Sequence, residues 1–233
     1  MSWVKDALTS SIGKKLVMSL TGLFLIVFLV VHLVGNIPLL FKDGTAFNEY
    51  AHFMKHNKLI IVSEFILFGG FILHIVQGIM LYNKNKGARK QKYAVPNKNS
   101  KVTTASKIMG PMGMVMLLFL ILHLLDFFAF KIGAKTLPFP AIDLGNGEFM
   151  DNLFAQVQHE FRDEISHVIM YPIFMIAVGF HLFHGFQSAF QSLGLNHKKY
   201  TPFIKSLGTA YSIIVPGLFA LIPILIYLGV TFG

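Results

Sequence analysis

Residues 22–36 read GLFLIVFLVVHLVGN, an apolar run without a charge and with one histidine, His32, near its end. With its flanks it fills about 15–40, more than the ~20 residues an α-helix needs to cross a bilayer. Four more such runs follow, and they predict helices at about 58–83, 107–131, 166–192 and 204–230. Only 13% of the chain is charged and 54% is hydrophobic, whereas about a quarter of a soluble domain is charged. The fold class expected is an all-α membrane protein of five transmembrane helices, a single domain over 1–233. Helices 1–4 are expected to form a bundle with the fifth packed outside it. An imidazole in hydrocarbon is costly unless it is bonded or ligating, so His32 needs a partner.

The chain has no cysteine. This excludes disulfides, iron–sulfur clusters, thiolate ligands and thioether-linked haem. The start, MSWVKDALTSSIGKKLVMSL, lacks a short apolar core closed by a small-residue cleavage site, so it reads as a retained segment. The net charge of +9 sits between the apolar runs, which points to membrane topology rather than to nucleic acid. Fourteen of the twenty lysines and arginines fall on the side of the N-terminus and of loops 84–106 and 193–203. The positive-inside rule makes that side cytoplasmic. Connections 41–57 and 132–165, with the C-terminus, then lie outside. The basic loop NKNKGARKQKYAVPNKNSK (83–101) suits topology and anionic lipid, or docking of a soluble partner. The outer stretch LPFPAIDLGNGEFMDNLFAQVQHEFRDE (137–164) is broken by Pro and Gly, then helical near its end, and is expected to cap the bundle.

His32 is not alone. His74 lies in helix 2, His123 in helix 3, and His181 with His184 in helix 4, while helix 5 has none. At 1.5 Å per residue, His32 and His123 each lie about eight residues, ~12 Å, from the outer helix ends. His74 and His181 lie about nine and eleven residues, roughly 13–17 Å, from the inner ends. The histidines therefore sort into an outer pair, His32/His123, and an inner pair, His74/His181. Two levels with two ligands each is the layout of two bis-histidine haems b in one bundle. The irons are expected roughly 10–15 Å apart along the membrane normal.

Gly78 and Gly185 each follow an inner histidine by four residues, on the same helix face, where a side chain would strike a flat macrocycle. Gly22 and Gly113 each precede an outer histidine by ten. The alternative for all four is small-residue helix packing. The shared H-x-x-x-G pattern marks His181 as the ligand. His184, about 60° round the helix, is left for hydrogen bonding near the inner haem or a proton route. Glu64 and Asp126 are the acids placed inside spans. Both are candidates for proton exchange with quinone or for simple solvation at the interface, and Glu64 is taken as the quinone-linked acid. Ser19, Gln77, Gln187 and Ser188 could bind haem propionates or quinone, or link helices.

Taken with HLVGN (32–36), AFNEYAHFMKHNKLIIVSEF (46–65), HIVQG (74–78) and HLFHGFQSAFQSLG (181–194), most of the chain resembles a known family. This is the five-helix, diheme cytochrome b membrane-anchor subunit of bacterial succinate dehydrogenases and fumarate reductases. The resemblance implies His32, His74, His123 and His181 as axial ligands of two haems b, and menaquinone or another quinone as substrate. It implies flavoprotein and iron–sulfur partner subunits on the cytoplasmic face of a bacterial inner membrane. It assigns no role to His184, and the outer connection between helices 3 and 4 is longer than the family leads one to expect. Two alternatives stand beside it: the diheme subunit of another quinone-linked dehydrogenase, such as a formate dehydrogenase or hydrogenase, and a histidine-relay transporter without haem.

Overall fold

The computed structural model describes residues 10–88, 104–145 and 147–232. Most of the basic loop, from residue 89 onward, lies outside the described residues, as does the start of the chain.

Helix α1 (Ser11–Asn36) begins where the Ser10 side chain accepts a 2.9 Å hydrogen bond from the Gly13 amide. It runs into a tight turn, Ile37–Leu40, that contains Pro38. Helix α2 (Thr45–His56) follows Gly44, whose φ of 68° is left-handed and suits a residue without Cβ. The Asn57 side chain accepts from the Leu59 and Ile60 amides, 3.0 and 3.3 Å, and starts α3 (Lys58–Ala88). Helix α4 (Thr104–His123) continues through a wider turn at Leu124–Phe128, closed by the Ala129 amide on the Leu124 carbonyl, into Ala129–Lys131. A two-residue antiparallel pair, β1 (Ile142–Asp143) with β2 (Phe149–Met150), precedes α5 (Leu153–Arg162). Helices α6 (Ile165–Ser192) and α7 (Thr201–Tyr227) complete the chain.

Among the described residues, five helices are long and apolar enough to cross a membrane: Ser11–Leu40, Lys58–Gly87, Ile108–Lys131, Ile165–Ser192 and Thr201–Tyr227. These match the expected spans to within a few residues. None of the most apolar window of α3 is buried inside the chain, so its Leu, Ile and Phe side chains need an apolar surround. The compact packing lies elsewhere, in a core of Leu33, Leu39, Val157, Phe161, Val168, Tyr171, Val215, Ile222 and Ile226. That core joins α1, α5, α6 and α7. Helix α7 packs along α6, where a Cβ on Gly179 would lie 3.0 Å from the Ser212 carbonyl oxygen, and Tyr211 donates a 2.6 Å hydrogen bond to the Ile26 carbonyl of α1.

Helices α2 and α5 both lie in connections between spans, and together they cover one end of the molecule. Asn48 is buried and donates to Asn152 Oδ1 at 3.1 Å, while its own Oδ1 accepts from the Phe154 amide at 2.8 Å. Asn152 also caps α5 by accepting from the Ala155 amide. Lys55 pairs with Asp151 at 2.5 Å. The Gln158 amide reaches the Leu39 carbonyl, and the Phe232 amide reaches that of Leu40. The cap thus contains the helix expected at the close of the outer stretch, and α2 joins it where the sequence pattern predicts only a connection.

Candidate functional site

The four span histidines meet in the expected pairs. The rings of His32 and His123 have centroids 5.8 Å apart with planes at 84°, and those of His74 and His181 are 6.3 Å apart at 69°. With metal–nitrogen bonds of about 2 Å and each ring centre about 1.1 Å behind its nitrogen, two imidazoles facing across one metal stand about 6.3 Å apart. Both pairs fall near that value. His123 and His181 each keep an enclosed Nδ1 without a hydrogen-bond partner, so neither is explained as an ordinary interhelical hydrogen-bonder. Among the described residues no group of three or more His, Asp or Glu side chains could hold a metal ion.

The glycines separate the two levels. A Cβ at Gly22 would lie 3.3 Å from His74 Cε1, and one at Gly113 would lie 3.9 Å from His181 Cε1. Spacing alone ties each glycine to the histidine ten residues along its own helix. In the structure each faces the inner histidine of a neighbouring helix. Ten residues of helix are ~15 Å, so the inner rings sit about that far along α1 and α4 from His32 and His123. Gly78 and Gly185 instead face the ends of Met18 and Met109, where a Cβ would lie 3.6 and 4.0 Å from the methyl carbon. The correspondence runs further: Phe28 stacks on His32 at 5.3 Å, and Phe119 lies 5.6 Å from His123. Methionine, glycine, phenylalanine and histidine recur at the same spacing in α1 and α4, a two-helix internal repeat.

Thr21 is a site residue that the sequence does not single out. Its hydroxyl donates to the Val17 carbonyl at 2.8 Å and lies 3.1 Å from His74 Nδ1. With that proton committed to a carbonyl, the Thr21 oxygen accepts from Nδ1–H, which leaves the Nε2 lone pair free for a metal. A threonine in a span bonds back to its own helix so often that only the cross-helix distance marks this one. Asn36 is 3.5 Å from His32 Nδ1, too long to fix a tautomer.

The remaining candidates are scattered. His184 is partly buried and makes no hydrogen bond or ring contact among the described residues. Ser19 is buried with its hydroxyl turned back to the Lys15 carbonyl at 2.8 Å. Gln77 has an enclosed Oε1 without a partner, while Gln187 and Ser188 are partly buried. Glu64 faces the Lys131 ammonium at 2.5 Å rather than lipid. Lys131 also lines a cavity of about 400 Å³ with Phe130, Leu137 and Phe139. Asp126 sits in the wide turn after His123 and accepts a 2.8 Å hydrogen bond from Tyr171, whose ring is edge-on to His123 at 6.2 Å.

No family model, curated protein or solved structure matches this chain.

Proposed function

We propose that the chain is a diheme cytochrome b of the membrane, the anchor subunit of a succinate:quinone oxidoreductase. The observation that carries the cytochrome reading is the two close imidazole pairs, 5.8 and 6.3 Å between centroids, on four spans. In this reading His32 and His123 bind one haem iron and His74 and His181 the other. Haem b supplies reversible one-electron transfer, and two centres on successive levels link a partner at one face with a quinone near the other.

The chain's own work is to hold, orient and insulate. Thr21 holds the His74 ring in one tautomer. Replacing it by valine keeps the shape and removes the acceptor, so Thr21→Val is expected to weaken haem retention about 10- to 100-fold. Titrating haem into stripped protein measures this, and the outer pair serves as the internal control. Lipid around α3 and the apolar core beside α6 keep water from the pairs. The N-terminal end, with its excess of lysine and arginine, is the cytoplasmic face where flavoprotein and iron–sulfur subunits dock. The capped end faces outward, in a bacterial cytoplasmic membrane. The succinate-linked identity rests on the sequence resemblance, while the cytochrome rests on the histidines.

The deciding experiment is a visible spectrum with a haem assay on the complex purified in mild detergent. Two noncovalent, low-spin haems b per chain are expected, both extractable because no cysteine is present to hold them. A single haem in fully occupied native material, or none, overturns the reading. Co-purification with flavoprotein and iron–sulfur subunits tests the succinate-linked identity separately.

A further inference from the structure

The capped end contains a run of ionisable side chains that the electron-carrying role does not use. Glu160 on α5 holds Gln156 Nε2 at 2.8 Å through Oε1, and its Oε2 lies 3.1 Å from His167 Nδ1. The second contact is an ion-pair distance outside hydrogen-bond geometry. On its other side, His167 Nε2 lies 3.7 Å from Asp126 Oδ2. That same oxygen accepts the 2.8 Å hydrogen bond from Tyr171, whose ring meets His123. One imidazole thus stands between two carboxylates, with one ring nitrogen turned to each. The three side chains come from α5, α6 and the wide turn after α4. They are only 16 to 20% exposed, so this is not a solvated surface cluster.

We infer that Glu160, His167 and Asp126 form a proton path between the outer aqueous face and the space beside the outer histidine pair. The inference rests on the proposed function, since it supplies the protons that a quinone reaction there exchanges. Oxidation of a hydroquinone releases two protons and two electrons. The haem that His32 and His123 would hold would supply the one-electron acceptor, and the protons need a base. The two hydroquinone O–H bonds break in turn: one proton is assigned to Glu64, and the other passes to the Asp126 carboxylate. It moves to His167 Nε2, while the Nδ1 proton goes to Glu160 and from there to water. Reduction of a quinone runs the same transfers in reverse. An imidazole suits this because it takes a proton on one nitrogen and gives one up from the other near neutral pH. A small rotation of the His167 ring brings the 3.1 Å contact with Glu160 into line, and the 3.7 Å gap to Asp126 closes with it or through one water. The groups facing His167 are Glu160 from α5, Asp126 from the α4 turn and Tyr171 from its own helix; Asp163 on the neighbouring surface is held by His159 at 2.6 Å.

The same contacts could serve only as a clasp holding α5 on the spans, and the test separates the two. In the assembled, haem-loaded complex, His167→Ala is expected to slow electron input from hydroquinone about ten- to a hundredfold. Haem content and reduction by dithionite should stay unchanged, and added imidazole should restore part of the rate. Glu160→Gln, which keeps the hydrogen-bonding shape on a surface helix, should slow it in the same direction. A fall in the His167→Ala rate that is matched by an equal loss of haem overturns the path. So do rates within twofold of the parent for both variants, and so does a loss that imidazole leaves untouched. Parent protein without haem overturns the functional reading itself, a result the haem assay records before any variant is made.

Discussion

His181→Leu is expected to leave the chain with one haem where the parent holds two, while His184→Leu keeps both. The two histidines are three residues apart in one helix, and composition does not choose between them. Geometry does. The His181 ring faces His74 at 6.3 Å, its Nδ1 is enclosed without a partner, and Gly113 lies against its Cε1. His184 points about 60° away round the helix and has no ring partner among the described residues. Leucine fills a similar volume without a ligating atom, so lost packing contributes little to the comparison. If His74 and His181 hold the inner haem as proposed, the leucine variant would leave it held by His74 alone. A haem that binds only the folded chain also stabilises it by mass action, so His181→Leu should lower the melting temperature as well. Haem per chain by pyridine derivative, with a redox titration showing one wave instead of two, measures the outcome. His74→Leu should reproduce it. One haem lost from His184→Leu with both retained in His181→Leu would assign the inner ligand to the wrong neighbour.

The spans and the histidine pairing are legible in the sequence because both depend on position along a helix. An apolar run of 20 or more residues fixes a span, and distance from the helix ends fixes the level of His32, His74, His123 and His181. Adjacency between helices is not legible in the same way. Spacing ties Gly22 and Gly113 to His32 and His123, yet they contact His74 and His181, because the helix that fills a neighbour's face is set by packing. Thr21 carries no signal of its own until its distance to His74 is known. Helix α2, TAFNEYAHFMKH, pairs its apolar residues at helical spacing (Ala46/Phe47, Tyr50/Ala51, Phe53/Met54), but its twelve residues are too few to span a bilayer, so a reading that looks for spans leaves it inside a connection. Its helical state is supported by contacts with α5 more than a hundred residues away, such as Asn48 with Phe154. Asp126 is visible as an acid, but Glu160 and His167 lie in the connection and at the start of the next span, and only the fold gathers them.

Glu64→Gln is expected to lower quinone-linked turnover about ten- to a hundredfold, the scale of losing an acid–base group, while both haems stay bound. Succinate oxidation with a soluble artificial acceptor should continue, since the proposed dicarboxylate site belongs to a partner subunit. The carboxyl lies ten residues, ~15 Å, along α3 from His74, which puts it at or above the level of the outer pair. Its partner is Lys131, and Lys131 lines an open cavity of about 400 Å³ together with Lys55, Lys135, Asp151, Phe130 and Phe139. Under the proposed function, a quinone exchanging protons with Glu64 would have to approach this ion pair. The pair also offers a structural reason for any loss, because it ties α3 to the end of the α4 span. Lys131→Gln separates the two explanations. A tie is broken equally from either side, so in that case both variants fall together and the assembled complex melts earlier. A proton carrier is lost only with the carboxyl, so Lys131→Gln should retain most of the quinone-linked rate. Glutamine at 64 keeps the size and a hydrogen-bonding end, which confines the change to proton exchange. Quinone-linked turnover within twofold of the parent in Glu64→Gln removes this carboxyl from the mechanism and leaves Asp126 as the acid nearest the outer histidines.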